Sequence, residues 1–330
     1  GSICGRICPH TKQCQGHCVR GIKSEPVNIG KIEAYVFDQA IKNGYDKKIK
    51  KSEILKGKKI AIIGSGPAGL SCSTFLAIQG ADVTIYEKNS KLGGILTHGI
   101  PDFRIDKKVI ESTISSILNL GIKVEYQQEL GKDITIEELK KSYDAIFLGL
   151  GANISTEMNI EGENLRGVYG GNALLEKNEH PNYEGKKVAI VGGGNVAMDC
   201  ARTIQRQNPS KVYVIYRRSE KQMPAETKEI EAAKKEGVEF LFQNNIVKIL
   251  GKDKVKQIEC IKTELIKIDG EEREVPVNIE NSNYLIDVDY VVMAIGSKPQ
   301  KDILSKLNLE LNKYGYIKVN ERYQTSDKKI

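Results

Sequence analysis

One nine-residue string constrains this chain more than any other feature. Lys58-Lys59-Ile60-Ala61-Ile62-Ile63-Gly64-Ser65-Gly66 returns 128 residues later as Lys186-Lys187-Val188-Ala189-Ile190-Val191-Gly192-Gly193-Gly194. Each copy is an apolar, β-rich run closed by a glycine-rich turn. Each leads into a helix-like stretch (70–79 and 198–207) and then a second strand (83–86 and 212–216). A third pair follows in the same order: Asp144-Ala145-Ile146-Phe147-Leu148-Gly149-Leu150-Gly151 is matched by Asp289-Tyr290-Val291-Val292-Met293-Ala294-Ile295-Gly296. Three features recurring in one order describe two copies of a β-α-β nucleotide-binding unit, not a solenoid period.

The 330 residues accommodate two or three domains at roughly 100–200 residues each. The expected fold class is α/β: two Rossmann-like dinucleotide-binding domains preceded by a helical, cysteine-rich N-terminal segment over 1–57. The first nucleotide domain is expected over 58–159 together with a returning segment, 296–330, and the second over 160–295. Within the returning segment, 316–319 reads as a strand and 323–326 as a loop.

Gly64-Ser65-Gly66-Pro67-Ala68-Gly69 fits G-x-G-x-x-G between a strand and a helix. The first glycine permits the tight turn, the second lets the backbone approach a pyrophosphate, and the third allows close helix–strand packing. Glu87, followed by Lys88, ends the second strand, 18 residues after Gly69. A carboxylate there accepts hydrogen bonds from ribose hydroxyls. Gly93-Gly94-Ile95 follows, and paired glycines let backbone lie close to a flat ring. This favours a flavin over a second nicotinamide, with an ordinary flexible loop as the alternative.

The second turn, Gly192-Gly193-Gly194-Asn195-Val196-Ala197, is the G-x-G-x-x-A variant. Its second strand ends on Tyr216-Arg217-Arg218, where an NAD site would carry a carboxylate. Arg217 and Arg218 offer fork-shaped donors to a 2′-phosphate, so NADPH is expected over NADH. The alternative is a pair of solvated arginines on a strand end.

Composition narrows the class. Hydrophobic residues make up 40% and charged residues 28%, and no apolar run approaches the ~20 residues of a membrane helix. A cytoplasmic protein with no membrane partner is expected. The net charge of +7 owes much to eight lysines within 42–59. That run reads as a solvated linker, and no nucleic-acid partner is expected. A basic surface also suits an acidic partner protein or a phosphorylated cofactor.

Four of the seven cysteines, Cys4, Cys8, Cys14 and Cys18, fall within fifteen residues; Cys72, Cys200 and Cys260 are isolated. A cluster this tight points to metal. By local spacing alone it reads as one 4Fe-4S site, with zinc or free thiols as alternatives. The four histidines, His10, His17, His98 and His180, show no zincin or triad spacing, and no side chain is assigned a catalytic role.

Several longer strings carry a resemblance: Ile3-Cys4-Gly5-Arg6-Ile7-Cys8-Pro9, Glu25-Pro26-Val27-Asn28-Ile29-Gly30, Gly93-Gly94-Ile95-Leu96 with Gly99-Ile100-Pro101-Asp102-Phe103-Arg104, Gly192 to Asp199, and Tyr216-Arg217-Arg218-Ser219. By these the chain resembles the small (β) subunits of NADPH-dependent glutamate synthase. It is also similar to the NADPH-binding subunits of bifurcating ferredoxin:NADP oxidoreductases and to the N-terminal half of dihydropyrimidine dehydrogenases. The resemblance implies FAD in the first nucleotide domain, with Arg104 and the Leu130 backbone among its contacts. It implies NADPH in the second, with Gly151 and Ala294-Ile295-Gly296 marking strand ends near the cofactors.

The resemblance also implies that Cys8 and Cys14, with Glu33 as a non-cysteine ligand, serve one 4Fe-4S cluster. Cys18 serves another, and Cys4 serves neither. In these families the remaining ligands come from an earlier C-x2-C-type motif, and a Gly-Gly-Asp motif beyond Gln324-Thr325-Ser326 closes the flavin site. Neither motif occurs in this sequence, so the expectation is a central portion of a longer protein with incomplete clusters.

The implied activity is electron transfer from NADPH through FAD to iron–sulfur clusters. The implied partner is a large catalytic subunit or a ferredoxin-type acceptor. Two rivals stand beside it: a disulfide reductase, which needs a redox-active cysteine pair, and a catalytically silent docking fragment.

Overall fold

The computed structural model describes residues 2–177, 180–268, 270 and 273–330. They form two compact units, Gly1–Ala152 with Pro299–Ile330, and Asn153–Lys298.

The first unit opens with α1 (Cys4–Ile7) and α2 (Ile29–Lys42). Asn28 caps α2 by accepting from the Lys31 N–H at 3.2 Å, and Arg6 on α1 pairs with Asp38 on α2 at 2.5 Å. A parallel sheet follows, built from β1 (Lys59–Ile63), β2 (Asp82–Glu87), β3 (Lys123–Tyr126) and β4 (Ala145–Leu148) in the order β3-β2-β1-β4. Buried Ile62, Val83 and Ile85 pack with Leu70 of α3 (Pro67–Ile78) and Ile110 of the helix at Lys107–Leu118. Near-continuous apolar strands are what a parallel sheet covered by helices requires.

The second unit repeats the plan with additions. In chain order its strands are β5 (Ile154–Ser155), β6 (Val168–Gly170), β7 (Lys187–Val191), β8 (Lys211–Tyr216), β9 (Glu239–Phe242), β10 (Asn244–Gly251), β11 (Val255–Ile266), β12 (Val275–Asn278), β13 (Tyr284–Asp287), β14 (Tyr290–Met293) and β15 (Ser297–Lys298). The parallel sheet runs β6-β14-β7-β8-β9. Strands β10 to β13 form an antiparallel sheet centred on β11. Buried Val188, Ile190 and Val214 pack against Met198, Ala201 and Ile204 on the helix Asn195–Gln205, which with Thr227–Lys235 covers one face.

The two parallel sheets share a strand order: β3-β2-β1-β4 matches β9-β8-β7-β14. The repeat extends to side chains. Asp144 Oδ2 accepts from the Lys59 N–H at 2.8 Å, and Asp289 Oδ2 accepts from the Lys187 N–H at 3.0 Å. Asp144 thereby ties the start of β4 to the start of β1, and Asp289 ties the start of β14 to the start of β7. The Lys59 N–H, with nearby lysine charge, holds the Asp144 carboxyl below its ordinary value.

Two features differ from expectation. No strand forms over 316–319; a single bridge joins Leu311 and Ile317. The reason is local: Asn312 Oδ1 collects the N–H groups of Tyr314 and Tyr316 at 2.9 and 3.1 Å. This bends the chain into an Asx-type turn in place of a ladder. The changeovers between units also fall at 152/153 and 298/299, against the expected 159/160 and 295/296. Pairing of Ser155 with Ser297 and of Ile154 with Lys298 draws both connecting segments into the second unit.

Candidate nucleotide sites

In both units the tight turn exists because its first glycine sits against the residue that follows a neighbouring parallel strand, β4 in the first unit and β14 in the second. Gly64 has φ +93°, and a Cβ there would meet the Gly149 carbonyl oxygen at 2.4 Å; Gly192 has φ +136°, and its Cβ would meet the Ala294 oxygen at 2.2 Å. Only glycine tolerates both the dihedral and the approach. A Cβ on the middle glycine, Gly66 or Gly194, would meet nothing within 4 Å. Each of these glycines also precedes the first residue of a helix, Pro67–Ile78 or Asn195–Gln205. An open, Cβ-free cradle over a helix N-terminus suits a pyrophosphate. The third motif position differs: a Cβ on Gly69 would strike the Gly64 oxygen at 1.9 Å, whereas the second copy accepts Ala197 fully buried.

Around the first turn, Glu87 is buried and its carboxylate is held by the loop. Oε2 accepts from the Ser65 N–H at 3.0 Å and from the Ser65 hydroxyl at 2.5 Å, and Oε1 accepts from the Asn89 N–H at 2.8 Å. With roughly four acceptor positions on a carboxylate, room remains for a ribose hydroxyl. Ser65 Oγ also accepts from the Gly93 N–H at 3.1 Å, and a Cβ on Gly94 would meet Gly66 Cα at 2.8 Å. The structure therefore brings 64–66, Glu87 and the Gly93-Gly94 pair into one group.

Pro67 and Ala68 are exposed on the first turn of the helix, Lys88 is exposed beyond the strand, and Ile95 is exposed at the start of a short helix, Ile95–His98. The Gln128 N–H donates to the Glu87 carbonyl at 3.0 Å, which brings the segment leading to Leu130 alongside. The Leu130 side chain lies in the core, so only its backbone is offered. Arg104 is half-buried in the turn before Lys107–Leu118, its N–H donating to the Pro101 carbonyl at 2.9 Å. Gly151 follows β4 with φ +75°.

The second turn forms one wall of a cavity of about 890 Å³. Gly192, Gly194, Asn195 and Val196 line it with Tyr216, Arg217 and Arg218 from the end of β8 and Ala294, Ile295 and Gly296 beyond β14. Backbone bonds hold the arginine pair in place: the Gln243 N–H donates to the Arg218 carbonyl at 3.1 Å, and the Thr263 hydroxyl to the Arg217 carbonyl at 2.8 Å. Arg218, which lines the cavity, has its Nε buried with no hydrogen-bond partner, an unsatisfied donor of the kind that calls for an explanation. The Tyr216 ring lies so close to Gly193 that a Cβ there would meet it at 2.6 Å.

Sequence reasoning missed this ring contact, and it missed Thr156, Asn172, Asn244 and Asn245 on the cavity wall. Tyr216, standing directly before the arginines, was a readable signal. The others arrive through tertiary packing, Asn244 and Asn245 on β10 and Asn172 on the helix Gly171–Lys177, and carry no local motif.

The N-terminal cysteines do not converge. Among the described residues no three of His, Cys, Asp and Glu come together in a metal-holding group. The Cys8 thiol donates to Gln13 Oε1 at 3.1 Å. Backbone N–H groups of Val27 and Arg20 favour the Cys18 thiolate and hold its pKa below the usual thiol value. That is the environment of a thiolate ligand, yet Cys8, Cys14, Cys18 and Glu33 do not by themselves form a four-ligand cage. Cys72, Cys200 and Cys260 are all free. Burial pushes the Cys200 thiol far up and the Cys260 thiol up to about 12, so neither is poised for disulfide chemistry.

Residues 58–330 match the pyridine nucleotide-disulphide oxidoreductase family, and residues 1–45 match dihydropyrimidine dehydrogenase domain II, 4Fe-4S cluster. The chain is 35% identical to the glutamate synthase [NADPH] small chain of Halomonas elongata, over 99% of this chain and 73% of that protein. It is 35% identical to the NADPH-Fe(3+) oxidoreductase subunit beta of Geobacter sulfurreducens, over 96% of this chain and 48% of that protein. Among solved structures, Mycobacterium tuberculosis FprA in complex with NADPH shares the fold with TM-score 0.72 at 18% identity, covering 82% of this chain and 76% of that one. With its family match running from the first glycine-rich unit to the last residue, the chain belongs to the pyridine nucleotide-disulphide oxidoreductases, alongside the small chains of NADPH-dependent glutamate synthase.

Proposed function

We propose that the chain is the NADPH-oxidising flavoprotein subunit of a multi-subunit oxidoreductase of the glutamate synthase type. The observation that carries this reading is the second unit's cavity, where a Cβ-free phosphate cradle and the Arg217–Arg218 pair, with its buried unpartnered Nε, face one space. When bound, the nicotinamide and the flavin supply the hydride donor and acceptor.

The protein's own residues bind and orient. In the first unit, Gly64–Gly69 and the helix N-terminus receive the pyrophosphate of FAD, Glu87 takes a ribose hydroxyl, and Gly93, Gly94 and Ile95 lie toward the ring. Lys88, Arg104, the Leu130 backbone and Gly151 complete that set. In the second unit, Gly192, Gly194, Asn195, Val196 and Ala197 receive the pyrophosphate of NADPH, Arg217 and Arg218 take the 2′-phosphate, and Ala294, Ile295 and Gly296 border the nicotinamide end.

The match of residues 1–45 to a 4Fe-4S domain supports an iron–sulfur exit route for electrons, with Cys8, Cys14, Glu33 and Cys18 contributing ligands. The partner is a large catalytic subunit, and the compartment is the cytoplasm; among the described residues no helix is long and apolar enough to cross a membrane. The test is spectroscopic. Protein reconstituted with FAD should lose its visible flavin band on anaerobic addition of NADPH, and much less readily with NADH. A band indifferent to both nucleotides would overturn the reading.

A further inference from the structure

The cavity of the second unit continues past the arginine pair onto β10, where Asn244 and Asn245 line it. The start of this strand is bonded to the arginines through the backbone. The Gln243 N–H donates to the Arg218 carbonyl at 3.1 Å. Thr263 of β11 donates its N–H to the Gln243 carbonyl and its hydroxyl to the Arg217 carbonyl, both at 2.8 Å. Asn245 lies two residues along the strand from Gln243, about 7 Å at the rise of a β-strand.

The two asparagines differ in what they have left to offer. Asn244 is engaged within the protein: Oδ1 accepts from the Tyr284 hydroxyl at 2.6 Å, and Nδ2 donates to the Phe242 carbonyl at 2.8 Å. Next along the strand, Ile246 pairs with Cys260, and both are buried in one core cluster. Strand alternation turns the residue between them, Asn245, paired with Ile261, to the opposite face. Its carboxamide is half-buried on the cavity wall and has no hydrogen-bond partner among the described residues.

We infer that Asn245 recognises the adenine base of NADPH, its carboxamide accepting from the N6 amino group and donating to N7. This rests on the NADPH reading of the cavity and adds a base-reading residue to it. The 2′-phosphate and the base hang from the same ribose. A base whose 2′-phosphate is held by Arg217 and Arg218 therefore lies beside the strand bonded to those residues. Two other polar residues of the wall stand at the far end. The Thr156 N–H donates to the Gly296 carbonyl at 3.0 Å, and Asn172 follows Gly171, where a Cβ would touch Ala294 at 3.3 Å. A carboxamide offers a donor and an acceptor side by side, and the N6–N7 edge of adenine presents the complementary pair. On that edge hypoxanthine presents two acceptors, and the same carboxamide satisfies only one of them.

The test is calorimetric binding of NADP+, its hypoxanthine analogue and NAD+ to the full chain, wild type against Asn245→Ala and Asn245→Leu. The leucine keeps the volume of the side chain and removes both hydrogen-bonding groups. The wild type should bind NADP+ about five- to a hundredfold tighter than the hypoxanthine analogue, the range for one well-formed bidentate contact to a base. Both variants should bring the two ligands to near-equal affinity, chiefly by weakening NADP+, and should keep the preference for NADP+ over NAD+. A wild type that binds NADP+ and the analogue equally, yet still prefers NADP+ to NAD+, would overturn the role of Asn245 and leave the NADPH reading standing. Variants that keep the wild-type ratio, whether or not both affinities fall, would overturn it too, since the side chain would then serve only the fold of β10. A wild type that binds NADP+ no better than NAD+ would remove the NADPH reading and the role of Asn245 with it.

Discussion

If the second unit takes NADPH as proposed, Arg218 is the residue on which nucleotide choice turns. Its Nε is buried and unpartnered, and a buried donor left without a partner costs free energy. Arg218→Ala should therefore weaken NADPH by roughly ten- to a hundredfold, matching about 1.5–3 kcal/mol for a charged hydrogen bond, while NADH changes little. Parallel titrations of flavin reduction with the two nucleotides check this. Gly193 faces a different constraint. Gly193→Ala sets a Cβ at 2.6 Å from the Tyr216 ring, so the ring must move. A loss of about 1–3 kcal/mol is expected for overpacking of this kind, read as a lower denaturation midpoint and weaker NADPH binding together. On the flavin side, Glu87→Gln keeps the shape but replaces one acceptor oxygen by a donor. One of the Ser65 or Asn89 donors then loses its partner, at roughly 1–3 kcal/mol. Flavin occupancy after reconstitution should drop with it.

At the scale of elements, the helices Asn195–Gln205 and Thr227–Lys235 are stapled by Arg202, Arg206, Glu229 and Glu236. Arg202 bonds Glu229 and reaches Glu236 at 2.8 Å, and Arg206 reaches Glu236 at 2.7 Å. Burial pushes the Glu236 carboxyl up, but hydrogen bonds and charge from the two arginines outweigh it and hold the carboxyl below its ordinary value. A carboxylate depressed in the folded state contributes stability above its unfolded pKa, and that contribution is lost as pH falls through the folded value. Glu236→Gln should thus cost about 1–2 kcal/mol near neutrality and flatten the acid limb of the stability curve. Chemical denaturation of wild type and variant at several pH values measures both.

What could be read from the sequence divides along a physical line. The two glycine-rich turns, the strands beside them and the Arg217–Arg218 pair depend on contiguous residues, and they stood in the string itself. Even the Asp144 and Asp289 ties follow from the matched strings that contain them. The Tyr216–Gly193 contact, the cavity wall from Asn244 and Asn245, and the Arg202 staple join residues far apart in the chain. No local period encodes them. The strand expected over 316–319 shrank to a single bridge for the opposite reason: one asparagine, Asn312, holds the turn closed by accepting from the Tyr314 and Tyr316 N–H groups.

At the scale of the whole molecule, one plan occurs twice. Both units keep the first glycine of the turn against the residue that follows β4 or β14, and both leave the middle glycine uncovered. They part at the end of the second strand, where one carries buried Glu87 and the other carries two arginines. This division predicts separable responses to ligand. A ligand that binds only the folded state stabilises it, by about 2.7 kcal/mol at a hundred times its dissociation constant. Addition of 2′,5′-ADP should slow amide hydrogen exchange around Gly192–Val196 and Tyr216–Arg218 and leave 60–66 and 82–87 unchanged; FAD should do the reverse. The proposed division of labour, flavin in one unit and NADPH in the other, faces a single anaerobic experiment. FAD-loaded protein is titrated with NADPH while the visible flavin band is recorded, for wild type and for Arg217→Ala/Arg218→Ala. Stoichiometric bleaching is expected in the wild type, and a large rightward shift of the NADPH titration in the variant. A flavin that NADPH does not reduce, or a variant that titrates like the wild type, would contradict it.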